Sequence, residues 1–253
     1  MRLVSVMLLC FFCFNFSDSL AESPFAVAKT VMSSGGAKAS SDGPFGDAKT
    51  SAKGALNVKG FAEHEIAQAI AIADIDNDTK ARAAFRTMVL DAFDLDRIST
   101  FVLGKANCAI LKNSGKYDEF KQVIANMLVV LNCASFKSYR KAGYTIGKIS
   151  DTVAKDKDGK DVHIYEVDST IQPKGKAAIT ISWTIRGYDG DLYKVFDAKV
   201  DKQVSMKTTL KHKVNDMMQK YKVSDMDGLS KKDPKIFAER LDGFMSGLKQ
   251  EYK

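Results

Sequence analysis

The hydrophobic period changes once along the chain, near Gly143, and this change constrains the fold more than any other sequence feature. Before Gly143 the apolar residues recur at helical spacing, most clearly over about 117–139, where the stripe is Tyr117, Phe120, Ile124, Met127, Leu128 and Leu131. After Gly143 the period is two: Ile179, Ile181, Trp183 and Ile185 alternate with polar or basic residues. The chain is therefore predicted to form helices first and β structure afterwards.

The remaining elements follow from the same two periods. Helices are predicted from 61 to 73, again up to Phe93, and from a cap at Asp94 or Asp96 as far as Ile110. Strands are predicted at 162–171, 179–186 and 192–200, with 144–150 as a fourth, and two more helices at about 204–222 and 234–252. The predicted fold class is α+β, with helices packed on an antiparallel or mixed four-stranded sheet.

The first 21 residues have the pattern of a cleavable secretory signal peptide. A basic residue, Arg2, precedes an apolar run that ends near Phe16, and small residues at Ser19 and Ala21 fit a cleavage site. The run is shorter than the roughly 20 apolar residues that span a membrane. We therefore expect cleavage after Ala21, a low-complexity and disordered leader over 22–60, and an unanchored, exported domain over 61–253.

The net charge indicates which classes of partner the protein binds, and the cysteines decide whether a disulfide is possible. The formal net charge is +7, carried by dispersed lysines, which favours contact with anionic surfaces such as phospholipid headgroups. Stacking aromatics are not interleaved with these lysines, so no nucleic-acid partner is expected. After cleavage Cys108 and Cys133 remain, and the sequence leaves open whether they form a disulfide or two buried thiols.

The chain lacks the usual sequence signatures of metal and catalytic sites. The acidic run at 74–78 resembles the start of a calcium loop, but Thr79 and Phe85 occupy its glycine and closing glutamate positions. His64, His163 and His212 have no metal-ligand spacing, and no nucleophile elbow or nucleotide fingerprint is present. We therefore expect no enzyme activity, no metal and no cofactor.

Two segments carry a family resemblance. AFDLDRISTFVLGK at 92–105, then WTIR at 183–186, YKVFD at 193–197 and VSM at 204–206, resemble in order and spacing the motifs of the MlaC, or toluene-tolerance, family of periplasmic phospholipid-binding proteins. The resemblance extends over about 61–248. It implies a helix-covered sheet related to the cone of nuclear transport factors, with a deep apolar cavity between sheet and helices.

The resemblance also implies a function. A member of this family is expected to shuttle a glycerophospholipid between an outer-membrane lipoprotein complex and an inner-membrane ABC lipid permease, with the lipid as cargo and no cofactor. A monomer is expected, because no heptad or exposed pairing edge is evident. The candidate lipid-binding residues are Phe101, Val102, Met127, Leu128, Leu131, Tyr139, Tyr165, Val167, Ile179, Ile181, Trp183, Ile185 and Val195.

Other interpretations remain open from the residues alone. Every candidate residue would serve equally well in an ordinary hydrophobic core. The same cone could hold a periplasmic enzyme or a binder of small apolar ligands, and the strongest catalytic combination would be His163, Tyr165 and Asp197 on neighbouring strands. A third alternative is an adaptor that docks through its basic surface and binds no ligand.

Overall fold

A computed structural model describes residues 57–156, 159–188, 192–201 and 203–252. The predicted signal peptide and nearly all of the predicted leader lie outside these residues. The first described element begins before the expected domain boundary at 61, because α1 covers Val58–Ala73 and is capped by Asn57, whose side chain accepts a hydrogen bond from Gly60 N.

Among the residues that the structure describes, five helices precede the sheet, one more than predicted. They are α1 Val58–Ala73, α2 Asp78–Ala92, α3 Leu95–Leu103, α4 Lys105–Asn113 and α5 Tyr117–Phe136, followed by a 3₁₀ turn at Lys137–Tyr139. The single helix predicted from Asp94 to Ile110 is wrong, since Gly104 separates α3 from α4 with a φ of 84°. That left-handed backbone is accessible to glycine at little cost.

The sheet is an antiparallel meander of five strands. These are β1 Gly143–Lys155, β2 Asp161–Gln172, β3 Ile179–Tyr188, β4 Leu192–Val200 and β5 Val204–Ser205, in the order β1-β2-β3-β4-β5. The prediction of four strands is corrected to five, because the two-residue β5 pairs with the end of β4. An isolated parallel bridge joins Phe93, after α2, to Val195 of β4.

Three helices follow the sheet. They are α6 Met206–Lys220, α7 Met226–Lys232 and α8 Pro234–Glu251. Of these, α7 was not predicted from the sequence, and α6 begins after β5 rather than at Val204. The N-terminus of α6 is capped by Ser205, whose hydroxyl accepts from Thr208 N.

The core lies between the helices and one face of the sheet. Strand alternation puts Val167, Ser169 and Ile171 of β2 on this face, and the register pairs Val167 with Trp183 of β3. Helix α1 packs against β1 and β2, whereas α2, α3 and α6 pack against β4. Among the described residues, no helix combines the length and the apolar character needed to cross a membrane.

Candidate functional site

An apolar pocket lies between the helical layer and the inner face of the sheet, and we call it the inner pocket. Its helical wall comes from α1, α2, the segment after α2, α5 and the 3₁₀ turn: Ile66, Ala69, Ile70, Phe85, Met88, Val89, Phe93, Leu128, Asn132 and Tyr139. Its opposite wall comes from the sheet and the first residue of α6: Ile171, Ile181, Trp183, Ala198 and Met206. Apolar side chains therefore surround the space on nearly every side.

The inner pocket is small. Its volume is about 60 Å³, whereas pockets that enclose drug-sized molecules measure roughly 300–1,000 Å³. On the same measure a single water needs about 10–15 Å³. The deep cavity expected from the resemblance is therefore not open in this structure, and the helices rest almost directly on the sheet.

Trp183 and Asn132 bring polar atoms into the apolar lining, and Ser169 lies directly behind it. Trp183 Nε1 donates a hydrogen bond to Ser169 Oγ at 2.8 Å, and Ser169 Oγ donates to Ile181 O at 3.2 Å, so the indole N–H is satisfied without water. Asn132 Nδ2 donates to Leu128 O, while its buried Oδ1 has no partner among the described residues. The tryptophan ring is thereby held in place as part of the pocket wall.

A second depression, which we call the outer cleft, adjoins the inner pocket. It has a volume of about 160 Å³ and lies where α1 ends, α2 begins and α5 ends. Its lining is Ile72, Ala73, Ile75, Asp78, Ala81, Arg82, Phe85, Cys133 and Lys137. Phe85 lines both spaces and lies where they adjoin.

A buried carboxyl group lies beside the inner pocket. Glu65 directly precedes the lining residue Ile66, and its Oε2 is buried without a hydrogen-bond partner among the described residues. Burial raises the pKa of Glu65 from 4.5 to about 7; nearby Lys194 lowers it and Asp91 raises it. Near neutral pH a substantial fraction of this carboxyl group is therefore protonated.

A match to a protein-family model identifies the family of this chain. The family model for MlaC protein matches residues 65–232, which is more than half of the 253 residues. The chain belongs to the MlaC family. No curated protein matches the sequence.

The MlaC match includes the whole of the inner pocket. Every lining residue falls between Ile66 and Met206, inside the matched range of 65–232. Helix α8, at Pro234–Glu251, lies beyond it. The part of the chain that resembles MlaC is thus the part that builds the apolar space between helices and sheet.

The first MlaC-like segment is built around Asp94. Its Oδ1 accepts from Arg97 N at the start of α3, and its Oδ2 accepts from the hydroxyl of Tyr188 in β3. Burial and this carboxylate raise the pKa of Tyr188 to about 12, so the phenol stays protonated as a donor. Asp94 therefore joins the helical layer to the sheet.

The later MlaC-like segment is built around Asp197, which is fully buried. Its carboxylate accepts from Ser205 Oγ at 2.8 Å, Ala198 N at 3.0 Å and Lys207 N at 3.1 Å. Lys207 N belongs to the first turn of α6, where a negative charge is favourable. Asp197 thus fixes the start of α6 against β4.

The strongest catalytic combination considered from the sequence is not assembled. The Asp197 carboxylate is engaged by Ser205, Ala198 and Lys207 at the start of α6. His163 instead stacks on Tyr165 and lies 2.8 Å from Asp151 Oδ2. Within the part of the chain that the structure describes, no group of three metal-ligating side chains is present.

Four of the thirteen candidate lipid-binding residues line the inner pocket: Leu128, Tyr139, Ile181 and Trp183. Three others, Val102, Met127 and Val195, are buried in the surrounding core, and Leu131 and Ile179 are partly buried against it. Their contact with lipid stays a prediction.

The other four candidates lie away from the inner pocket. Val167 and Ile185 form a small separate cluster with Val58 and Ala62 of α1, and Tyr165 packs against that cluster. Phe101 packs edge-to-face on Phe196, with the Lys207 ammonium 5.0 Å from its centroid. The apolar stripe of β3 is therefore longer than the pocket, and only its Ile181–Trp183 portion lines it.

Most of the helical wall was not among the candidates. Ile66, Ile70, Phe85, Met88 and Phe93 formed the predicted apolar faces of α1 and α2, so the periodic signal was present. What the sequence did not show was that these faces lie opposite the inner face of the sheet across the pocket. That arrangement is a long-range feature which no local pattern encodes.

The two cysteines are both free thiols. Cys108 is buried and its Sγ lies 3.6 Å from Ser99 O, while Cys133 is half-buried in the outer cleft. Burial raises the pKa of both thiols. Of the two alternatives left open by the sequence, the structure has the free thiols.

Proposed function

We propose that this protein is a phospholipid-binding component of a lipid-transport system and that its inner pocket receives the acyl chains. The observation that carries the proposal is the pocket's position and chemistry, an almost wholly apolar space between a helical layer and a sheet, inside the range that matches MlaC. Membership of that family supports lipid transport and phospholipid binding.

Moving acyl chains through water requires such a space. Exposing a chain to water costs about 0.8 kcal/mol per CH₂. Two long tails therefore face a cost of order 20 kcal/mol. A lining as apolar as the bilayer interior makes the transfer nearly neutral. Lipid can then be both collected and released, as a carrier requires.

A pocket of about 60 Å³ must expand to receive these tails. An open, empty pocket would expose apolar side chains at about 25 cal/mol per Å², so the empty protein keeps its helices against the sheet. When tails enter, contacts between helices and sheet are replaced by contacts of each layer with the lipid. Separation of α1 and α2 from β3 and β4 is the motion that the lining residues require.

We also propose a compartment and membrane partners for the protein. The protein acts in the periplasm after removal of residues 1–21 and carries a glycerophospholipid, as a monomer, between an outer-membrane lipoprotein complex and an inner-membrane ABC permease. The phospholipid is cargo, and no cofactor or catalytic step takes part. Family membership and the predicted signal peptide support this assignment.

Vesicle transfer with a blocked pocket tests the proposal. Ala69 lines the inner pocket from α1, whereas Ala67 on the same helix is exposed. The purified mature protein should move fluorescent phosphatidylethanolamine from donor to acceptor vesicles. Ala69→Trp should reduce that rate about tenfold, because the indole fills the space meant for the tails, and Ala67→Trp should leave it unchanged.

Circular dichroism and thermal melting check that both variants fold. Equal transfer by folded Ala69→Trp and Ala67→Trp proteins would contradict acyl-chain binding in the inner pocket. Absence of transfer by the wild type would contradict the carrier function itself.

A further inference from the structure

The outer cleft differs from the inner pocket in its charged lining residues, which are Asp78, Arg82 and Lys137. The two spaces have one lining residue in common. Phe85 is 5% exposed and lines both spaces. Rotation of that ring would join the two volumes into one passage from the surface to the apolar interior.

The cationic groups at the rim differ in their pairing. Lys137 Nζ lies 2.9 Å from Asp78 Oδ1, and both side chains are more than half exposed. Arg82, one turn after Asp78 on α2, is exposed and makes no hydrogen bond or ion pair with any residue that the structure describes. By contrast Arg86, one turn further on, donates to Gln122 and Asn126 of α5. Arg82 is thus a cationic group at the cleft that has no direct hydrogen bond or ion pair among the described residues, although its charge helps to lower the pKa of Asp78.

We infer that the outer cleft is the mouth of the lipid cavity, with Phe85 as its inner partition and Arg82 and Lys137 as the binding site for the phosphate of the lipid headgroup. The inference rests on the proposed function and adds the position and chemistry of the headgroup site. A guanidinium suits a phosphate, since it can donate two parallel hydrogen bonds.

The ion pair between Lys137 and Asp78 at the cleft is weak. Exposed ion pairs of this kind contribute little to stability and are screened by salt. A phosphate bound to Arg82 can replace Asp78 as the ion-pair partner of Lys137. The acyl chains of the same molecule then face Phe85, directly in front of the inner pocket.

Cys133 provides a reporter that is independent of transport. Its half-buried thiol lines the outer cleft and lies close enough to Arg82 and Asp78 for their charges to act on its pKa, in opposite directions. Cys108 is buried elsewhere in the core and serves as an internal control. A lipid seated in the mouth must cover Cys133 and leave Cys108 unaffected.

The experiment loads wild-type mature protein from vesicles of phosphatidylethanolamine and phosphatidylglycerol and removes the vesicles by gel filtration. The lipid that remains bound is then counted, and alkylation of each cysteine by N-ethylmaleimide is followed by mass spectrometry. With nine-tenths of the protein loaded, Cys133 should react about tenfold more slowly than in lipid-free protein. Inorganic phosphate alone should give no protection, which separates a headgroup site from a free-phosphate site.

Charge variants test the role of Arg82. Arg82→Gln should retain phospholipid about three- to tenfold less well than the wild type. Lys80→Gln removes an exposed charge from the same helix outside the cleft and should behave as the wild type. Phe85→Leu, which keeps most of the core volume, should load lipid faster than Met88→Leu, a change in a wall residue that does not border the outer cleft.

The outcomes separate the two proposals. Wild-type protein that retains no phospholipid would contradict the proposed function. Protein that retains phospholipid while Cys133 stays as reactive as in the empty form, or while Arg82→Gln matches Lys80→Gln, would overturn the assignment of the mouth.

Discussion

Glu65 is the residue whose chemistry departs furthest from its ordinary behaviour beside the pocket. Its carboxyl group is largely buried on α1, Lys194 of β4 and Asp91 of α2 act on its charge, and its pKa is raised to about 7. The folded chain therefore holds this proton to a higher pH than the unfolded chain. Between about 4.5 and 7 the folded state binds more protons, so this group lowers stability as pH rises through that window.

Glu65→Gln tests this assignment. The variant should gain stability relative to the wild type as pH rises from 5 to 8, by roughly 1–3 kcal/mol at the upper end. Urea unfolding at several pH values measures the difference. Glu63→Gln, on the same helix with an exposed carboxylate paired to Lys59, is the control and should show no such trend. A constant difference between Glu65→Gln and the wild type across this range would refute a raised pKa.

At the scale of elements, the break between α3 and α4 depends on one backbone conformation. Gly104 has a φ of 84°, and an added Cβ would meet no atom within 4 Å, so backbone strain alone would oppose a side chain there. Gly143, which starts β1, likewise has open space around it but an ordinary φ.

Gly104→Ala should therefore cost about 1–2 kcal/mol of unfolding free energy, and Gly143→Ala should cost much less. Chemical denaturation of both variants gives the comparison. If the two substitutions cost the same, the left-handed backbone at Gly104 is not what ends α3.

The same break shows what local patterns can and cannot predict. Apolar residues keep a helical period on both sides of Gly104, so the periodicity alone indicated one helix where there are two. The seven residues of α7 and the two of β5 are too short to show any period. By contrast β3 and α5, with long unbroken stripes, were predicted within a few residues.

At the scale of the whole molecule, the predicted class and the MlaC family are confirmed, while the extent of the cavity is not. The α+β arrangement followed from the order of periods, and the motifs at 92–105 and 183–206 identified the family. The pocket depends on how α1 packs on β1 and β2 and how α2 packs on β4. Tertiary packing determines this, and it places Tyr165 and Val167 in a separate cluster outside the lining of the closed pocket, while their contact with lipid stays a prediction.

For the molecule as a whole, we propose that the closed pocket of about 60 Å³ opens to hold the tails of a phospholipid. Native mass spectrometry of the purified mature protein, combined with extraction and identification of bound lipid, tests this claim most directly. We expect a complex with one phospholipid for the wild type and for Ala67→Trp. For Ala69→Trp we expect strongly reduced occupancy by phospholipid. Lipid-free wild-type protein, even after incubation with phospholipid vesicles, would contradict it.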